Sequence, residues 1–191
     1  MISPLISYCQ QYQQLSPKFI ELIKNSASIF EVDKNTDLES FLAGNLGAFF
    51  LINGLIRKYS TFENKEITLG FVFEKDIFGS NIIKECYFEQ NRIGLQTLEK
   101  TTMVFVPYVL LEKFKTQCKE SIVLFDKITR RKLSEVNHQS AISRIPNATS
   151  RYKMFCKSVP GPDRIQGKFL ASYLAIREET LSRIRHHSSI A

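Results

Sequence analysis

Residues 169–185 of this 191-residue chain read FLASYLAIREETLSRIR. The pattern predicts two short helices joined by a turn of about three residues, because the apolar positions recur at intervals of three and four. Those apolar positions are Leu170, Tyr173, Leu174, Ile176, Leu181 and Ile184. The segment is therefore a predicted helix-turn-helix, in which the first helix supports the second and the second enters the major groove of DNA.

The exposed face of the second predicted helix is polar and basic. Glu179, Ser182, Arg183 and His186 are spaced i, i+3, i+4 and i+7, so they share one side of the helix. Arginine can donate two hydrogen bonds to guanine, and glutamate can accept one from cytosine. We therefore expect Glu179, Ser182 and Arg183 to read bases.

Residues beside this face are better placed for the DNA backbone than for bases. They are Thr180, Arg185 and His187, which we expect to contact phosphates. Arg144, upstream of the segment, is a further candidate for a phosphate contact. The competing interpretation is an ordinary amphipathic C-terminal helix whose charged side is only solvated, because helix-turn-helix patterns in single sequences have many false positives.

Residues 151–185 resemble the DNA-binding end of the Crp/Fnr family of bacterial transcription regulators. The shared residues are Arg151-Tyr152, Pro160, Ala171-Ser172-Tyr173-Leu174, Ile176 and Glu179-Thr180-Leu181-Ser182-Arg183-Ile184-Arg185. Three positions depart from the family pattern: Ala175 replaces the turn glycine, Arg177 replaces a threonine at the helix N-cap, and Glu178 replaces a proline. Ala175 is expected to be strained where φ is positive, and Arg177 cannot accept hydrogen bonds from helix amides as threonine does.

Basic charge is concentrated near the predicted helix-turn-helix. The chain has a formal net charge of +7, and residues 148–191 hold eight Lys and Arg against three Asp and Glu. This distribution favours a nucleic acid partner over a membrane surface. No stretch approaches the roughly 18 apolar residues that span a bilayer, and the N-terminus lacks a signal-peptide pattern, so we expect a cytoplasmic location and no membrane partner.

Residues 28–108 have the character of a small antiparallel double-sheet roll. The stretches 49–59, 67–73, 94–97 and 103–106 are rich in β-branched and aromatic residues, and Glu63-Asn64-Lys65 reads as a hairpin tip. The region resembles a cyclic-nucleotide-binding β-roll at residues 51–57, 66–71 and 76–80. Upstream of it, Ser16 and Pro17 predict the start of a helix over residues 17–25.

The nucleotide clamp of that roll is incomplete in this chain. In the nucleotide-binding proteins that it resembles, a glutamate holds the ribose hydroxyl, and an arginine holds the cyclic phosphate through a bidentate contact. Here Ser80 stands at the glutamate position and Arg92 aligns with the arginine. We therefore expect cyclic AMP to bind weakly or not at all. Arg92 is a candidate phosphate ligand for an unknown effector, and the alternative is a solvated arginine in a turn.

Residues 110–136 are predicted to form one long helix with an apolar stripe. The stripe comprises Cys118, Ile122, Phe125, Thr129, Lys132 and Val136, with Ile128 and Leu133 alongside. In the family that the chain resembles, such a helix pairs with its symmetry mate to form a homodimer. The alternative is a helix that packs only on its own roll. Residues 137–147, rich in Ser and Asn, are predicted to form a hinge.

The sequence does not favour an enzyme. Metal enzymes built on a small β-roll use several histidines inside the barrel, and no histidine lies between residues 28 and 108. The histidines are His138, His186 and His187. No pattern places a histidine near a nucleophilic serine, so no catalytic residue is predicted. The cysteines lack the clustering of an Fe–S site and are predicted to be reduced structural residues: Cys9, Cys86, Cys118 and Cys156.

Together these features predict an α+β chain with three parts. Residues 1–108 form an N-terminal helix and the antiparallel double-sheet β-roll, 109–137 a long dimerisation helix, and 138–191 a hinge and the helix-turn-helix DNA-binding domain. We expect a homodimeric transcription regulator that binds double-stranded DNA at a near-palindromic operator. The resemblance adds RNA polymerase and a small-molecule effector as expected partners. The alternative function is a cyclic-nucleotide- or small-effector-binding signalling module without DNA binding.

Overall fold

A computed structural model of the chain describes residues 2–83 and 93–188, and it has the predicted α+β architecture. Its helices are α1 (Ser3–Gln10), α2 (Pro17–Ser26), α3 (Glu39–Gly44), α4 (Tyr108–Gln117), α5 (Glu120–Ser143), α6 (Ala148–Ser158), α7 (Gly167–Tyr173) and α8 (Glu178–Ser188). Its strands are β1 (Ser28–Val32), β2 (Gly47–Asn53), β3 (Ile56–Phe62), β4 (Lys65–Val72), β5 (Ile77–Gly79), β6 (Ile93–Thr97) and β7 (Thr101–Pro107). Two 3₁₀ turns span Ser80–Ile83 and Pro162–Arg164.

The strands form two antiparallel sheets, as the sequence predicts. One sheet has the order β1-β7-β2-β5 and the other the order β4-β3-β6. Their inner faces enclose one apolar cluster that includes Leu51, Ile56, Leu95 and Met103, each with no exposed surface. Removing these side chains from water supplies the main driving force for closing the roll.

Two turns determine how the strands of the roll meet. Gly54 separates β2 from β3 with φ of +112°, and a Cβ there would lie 2.6 Å from the Thr101 hydroxyl oxygen, so only glycine fits. The stretch 49–59 therefore forms two strands, as its resemblance to a strand-turn-strand signature at residues 51–57 implies. Glu63 and Asn64 have φ of 47° and 62°, the left-handed pair that a two-residue hairpin requires. The hairpin predicted at this point is confirmed.

The N-terminal helices and the start of α5 pack on the β1-β7-β2-β5 sheet. α2 begins where predicted, because the Ser16 hydroxyl accepts a hydrogen bond from the amide of Phe19 at 3.2 Å. Phe19 then packs edge-on against Phe114 of α4, with ring centroids 5.5 Å apart. The sequence did not predict α1 or α3.

The predicted long helix is broken near its start and continues beyond its predicted end. Residues 110–136 are not one helix, since the chain is extended at Cys118 (φ −138°, ψ 102°) between α4 and α5. Cys118 is buried in the apolar cluster under α1 and α2. Its backbone takes an extended conformation because its side chain packs in this cluster. The predicted hinge over residues 137–147 is also too long. α5 continues to Ser143, which leaves residues 144–147 as the link to α6.

Two classes of feature were not found in residues 2–83 and 93–188. No helix there is long and apolar enough to cross a membrane. No group of three or more His, Cys, Asp or Glu side chains there is placed to hold a metal ion.

Candidate nucleic-acid interface

The predicted helix-turn-helix is formed by α7, a tight turn and α8. α7 ends with two backbone hydrogen bonds: the amide of Ile176 donates to the carbonyl of Ala171 at 3.1 Å, and that of Ala175 donates to the carbonyl of Ser172 at 3.2 Å. These are the 6→1 and 5→2 bonds of a Schellman motif. The turn therefore ends α7 by satisfying carbonyls that would otherwise lack a partner.

Ala175 occupies the left-handed position of that motif, with φ of +52°. Its Cβ approaches a backbone carbonyl in this conformation, which costs an L-residue about 1–2 kcal/mol. The strain predicted from the missing turn glycine is therefore present in the structure.

Replacing Ala175 with glycine is expected to raise the free energy of unfolding by about 1 kcal/mol, because the relief of strain exceeds the added entropy of the unfolded chain. Ala141→Gly is the matched control. Ala141 is exposed within α5, and glycine there should lower stability by about 1 kcal/mol. Thermal unfolding of both variants measures the difference, and equal losses of stability would contradict the role of the turn.

The side chains predicted to read bases lie on the solvent side of α8. Glu179, Ser182 and Arg183 are exposed, whereas Leu181 and Ile184 are buried against α6 and α7. The apolar stripe thus fixes the helix and leaves its polar face accessible. The structure brings all three candidate base-reading residues together on one face.

The residues predicted to contact phosphates are less uniform. Thr180 is half-buried. His187 is exposed at the edge of the face of α8 that carries Glu179, Ser182 and Arg183, which we call the reading face. Arg185 is half-buried and turns inward, where one terminal guanidinium nitrogen donates to the carbonyl of Ile165 at 3.4 Å. Burial raises the pKa of the neighbouring Tyr152 phenol, while the guanidinium of Arg185 opposes the rise. The bond to Ile165 is a contact of Arg185 within its own chain that the sequence pattern did not reveal.

A groove beside α8 adds two residues that the sequence pattern did not reveal. It has a volume of about 450 Å³ and runs between the start of α6 and α8, with Thr149 and Lys153 on one side and Arg183 and His187 on the other. Asn147 is the N-cap of α6, and its side-chain oxygen accepts a hydrogen bond from the amide of Ser150 at 2.9 Å. Thr149 and Lys153 were missed because they belong to a different helix and share no periodicity with α8. Arg144, the earlier phosphate candidate, is exposed just before this groove.

Ser80, which by sequence aligns with a ribose-binding glutamate, is buried in a hydrogen-bonded contact. Ser80 is 3% exposed, and its hydroxyl accepts a hydrogen bond from the amide of Gly47 at 3.0 Å. Arg92, the candidate phosphate ligand, lies outside the described residues. A cavity of about 640 Å³ is lined by this part of the roll and by α5, and within that lining the ammonium of Lys132 lies 2.6 Å from the Asp76 carboxylate.

Cyclic AMP is expected to show no binding at micromolar concentration. Ser80 offers no carboxylate to the ribose, and a buried hydroxyl left without an acceptor costs about 1–3 kcal/mol. Titration calorimetry of the purified protein measures this directly. Binding at micromolar concentration or tighter would contradict the expectation and would make Arg92 the first residue to replace.

Comparison with known proteins gives a match in fold. No protein-family model and no curated protein matches this sequence. Among solved structures, a protein assigned to the Crp/Fnr family of transcriptional regulators from Eubacterium rectale is similar with a TM-score of 0.63 and 15% identity, over 92% of this chain and 84% of that one. A cyclic nucleotide-binding domain containing protein from Listeria monocytogenes has a TM-score of 0.64 and 10% identity, over 96% and 87%.

A third similar structure is the c-di-GMP responsive global regulator CLP from Xanthomonas campestris. Its TM-score is 0.58 and its identity 13%, over 92% of each chain. The three matches span both the roll and the C-terminal helices, so the likeness covers the whole architecture. At such low identities it is a likeness of fold.

Proposed function

We propose that this chain, which has the fold of the Crp/Fnr transcriptional regulators, is a homodimeric DNA-binding regulator. The observation that carries the proposal is the exposed polar face of α8. Glu179, Ser182 and Arg183 extend into solvent from a helix held on its other side by buried leucine and isoleucine. Their donors and acceptors match base edges in the major groove.

The shape and charge around this face support duplex DNA as the ligand. Lys153 and His187 line the groove next to Arg183, so positive charge or hydrogen-bond donors flank the base-reading residues where phosphates would pass. The basic excess of residues 148–191 adds a sequence-independent attraction that depends on salt. If α8 were only a solvated surface helix, a basic side chain of α6 would not be expected in the same groove, where Lys153 lies.

Dimerisation is supported by an apolar stripe on α5. Ile122, Leu133 and Val136 are 54%, 62% and 57% exposed, and their intervals of 11 and 3 residues place them on one face of the helix. Phe125 of the predicted stripe instead packs partly on the core of its own protomer. We propose that a second copy covers the exposed stripe; two α8 helices about one DNA turn apart would then meet successive major grooves.

Selection of bound duplexes from a random pool tests the proposal. We expect enrichment of a near-palindrome whose half-sites are separated by about one DNA turn. Lys100→Ala is a suitable control, since Lys100 forms an exposed ion pair with Glu31 in the roll, 3.1 Å apart, and should select the same sequence. Absence of enrichment over nonspecific competitor DNA would favour the alternative, an effector-binding module without DNA binding.

A further inference from the structure

Three loops of the roll converge on one arginine that precedes the helix-turn-helix. The Nε and one terminal nitrogen of Arg164 donate to the two carboxylate oxygens of Glu99 at 2.9 and 2.5 Å. Its terminal nitrogens also donate to both oxygens of Glu74 at 3.0 and 2.6 Å. The carbonyl of Gly54 accepts a further bond at 3.2 Å. Gly54, Glu74 and Glu99 come from the β2–β3, β4–β5 and β6–β7 connections of the roll.

The geometry of this cluster makes it more than a surface ion pair. Exposed single pairs contribute little, but bidentate arginine–carboxylate contacts joined in a network hold their partners in one orientation. Burial alone would raise the pKa of Glu74, but the hydrogen bonds and charge of Arg164 lower it below its ordinary value. The side chain of Arg164 also folds over Gly161, where a Cβ would lie 2.9 Å from the Arg164 Cδ.

The cluster connects directly to the recognition helix. Ile165, the next residue, is buried among the side chains of α7 and α8, and its carbonyl accepts the hydrogen bond from Arg185 of α8. If the roll displaces Arg164, the displacement therefore reaches α8 through the peptide unit of Ile165 and the side chain of Arg185.

A second contact supplies a pivot for such a displacement. β4 is an edge strand, and the amide of Thr68 donates to the Ser172 hydroxyl of α7 at 2.9 Å. Beside it, the guanidinium of Arg57 lies 4.1 Å from the ring centroid of Phe169. The sheet therefore holds α7 through Thr68 and Arg57, and Arg164 holds the segment that leads into α7.

From this arrangement we propose that Arg164 is a positioning residue: its clamp on Glu74 and Glu99 sets the angle of the recognition helix relative to the roll. The inference rests on the proposed function. When the clamp is closed, α8 is held in a single orientation relative to the roll. In a dimer, the distance between the two α8 helices is then also fixed. When the loops bearing Glu74 and Glu99 move, the helix-turn-helix rotates about its contact with β4. The roll thereby controls which operator spacing the dimer accepts.

The first test needs no DNA. Arg164→Ala should speed amide hydrogen exchange in α8 by roughly tenfold, as expected for losing a local constraint of this size. Glu74→Gln with Glu99→Gln removes both carboxylates, keeps Arg164, and should speed exchange in α8 in the same way. Lys100→Ala is the matched control and should change nothing. Unchanged exchange in Arg164→Ala or in the double glutamine variant, while the protein remains folded by circular dichroism, overturns the clamp.

The second test uses operators whose half-sites are moved apart or together by one base pair. The wild-type protein should prefer one spacing by at least tenfold, and Arg164→Ala should reduce that preference without changing which bases each half-site requires. A purely structural role would weaken all spacings equally, and that result overturns the proposal. If exchange responds as expected but the wild-type protein binds no duplex, the clamp stands as a structural element and the DNA-binding proposal fails.

Discussion

Replacing Leu133 and Val136 with aspartate is expected to make the protein monomeric and to lower its operator affinity by about 10²–10⁴-fold. Both side chains are more than half exposed in the single chain, so the substitutions leave the protomer core intact. In a dimer they would place unpaired carboxylates in an apolar seam, which is strongly destabilising. The loss of affinity follows because each recognition helix then binds its half-site without the other.

Sedimentation velocity measures the oligomeric state, and titration of a two-half-site duplex measures the affinity. The control is Leu133→Met with Val136→Ile, which keeps the stripe apolar and should preserve both properties. Phe125 is a poor choice for this experiment because its side chain also packs on the core around Phe50 and Phe114. An aspartate variant that remained dimeric would show that α5 does not form the dimer.

Replacing Arg183 with alanine is expected to cost about 1–3 kcal/mol per half-site and to relax base preference at one position in each. Arg183 is exposed on the reading face of α8, where a bidentate contact to guanine is available. Lys153→Ala is the comparison. Lys153 lies across the same groove, and its loss should weaken all sequences alike and reduce the salt slope by about one unit.

Titrations on operators with single-base changes, at two salt concentrations, separate the two patterns. Equal weakening of every sequence by both variants would mean that the face of α8 acts only as an electrostatic platform. If neither variant altered DNA binding, α8 would not be the recognition helix.

The helix-turn-helix could be predicted from sequence because its signals are local. Leu170, Leu174 and Leu181 recur with helical spacing and are all buried, and the strain at Ala175 follows from one missing glycine. The reading face is defined by the same periodicity. The hairpin at Glu63 and the start of α2 at Ser16 also depend on neighbours within a few residues.

The features that sequence reasoning missed depend on distant partners. No proline or glycine marks the break at Cys118, whose burial under the N-terminal helices interrupts the long helix. The inward turn of Arg185 depends on the Ile165 carbonyl. Arg57 is 2% exposed, and Thr68 and Glu66 accept its hydrogen bonds, none of which its place in the strand pattern indicates. α1 has no side-chain cap to mark its start.

The pairing of β1 has a consequence for the order in which the chain folds during synthesis. β1 has β7 as its neighbour, with Ser28 opposite Phe105 and Val32 opposite Thr101. The first strand to leave the ribosome must therefore wait for the last strand of its sheet, and such nonlocal pairing is slow. The apolar surface that receives α7, including Phe71 and Leu98, takes shape only as the sheets close. We expect the C-terminal helices, whose contacts with each other are short in sequence, to dock on an already folded roll and to remain sensitive to proteolysis until they do.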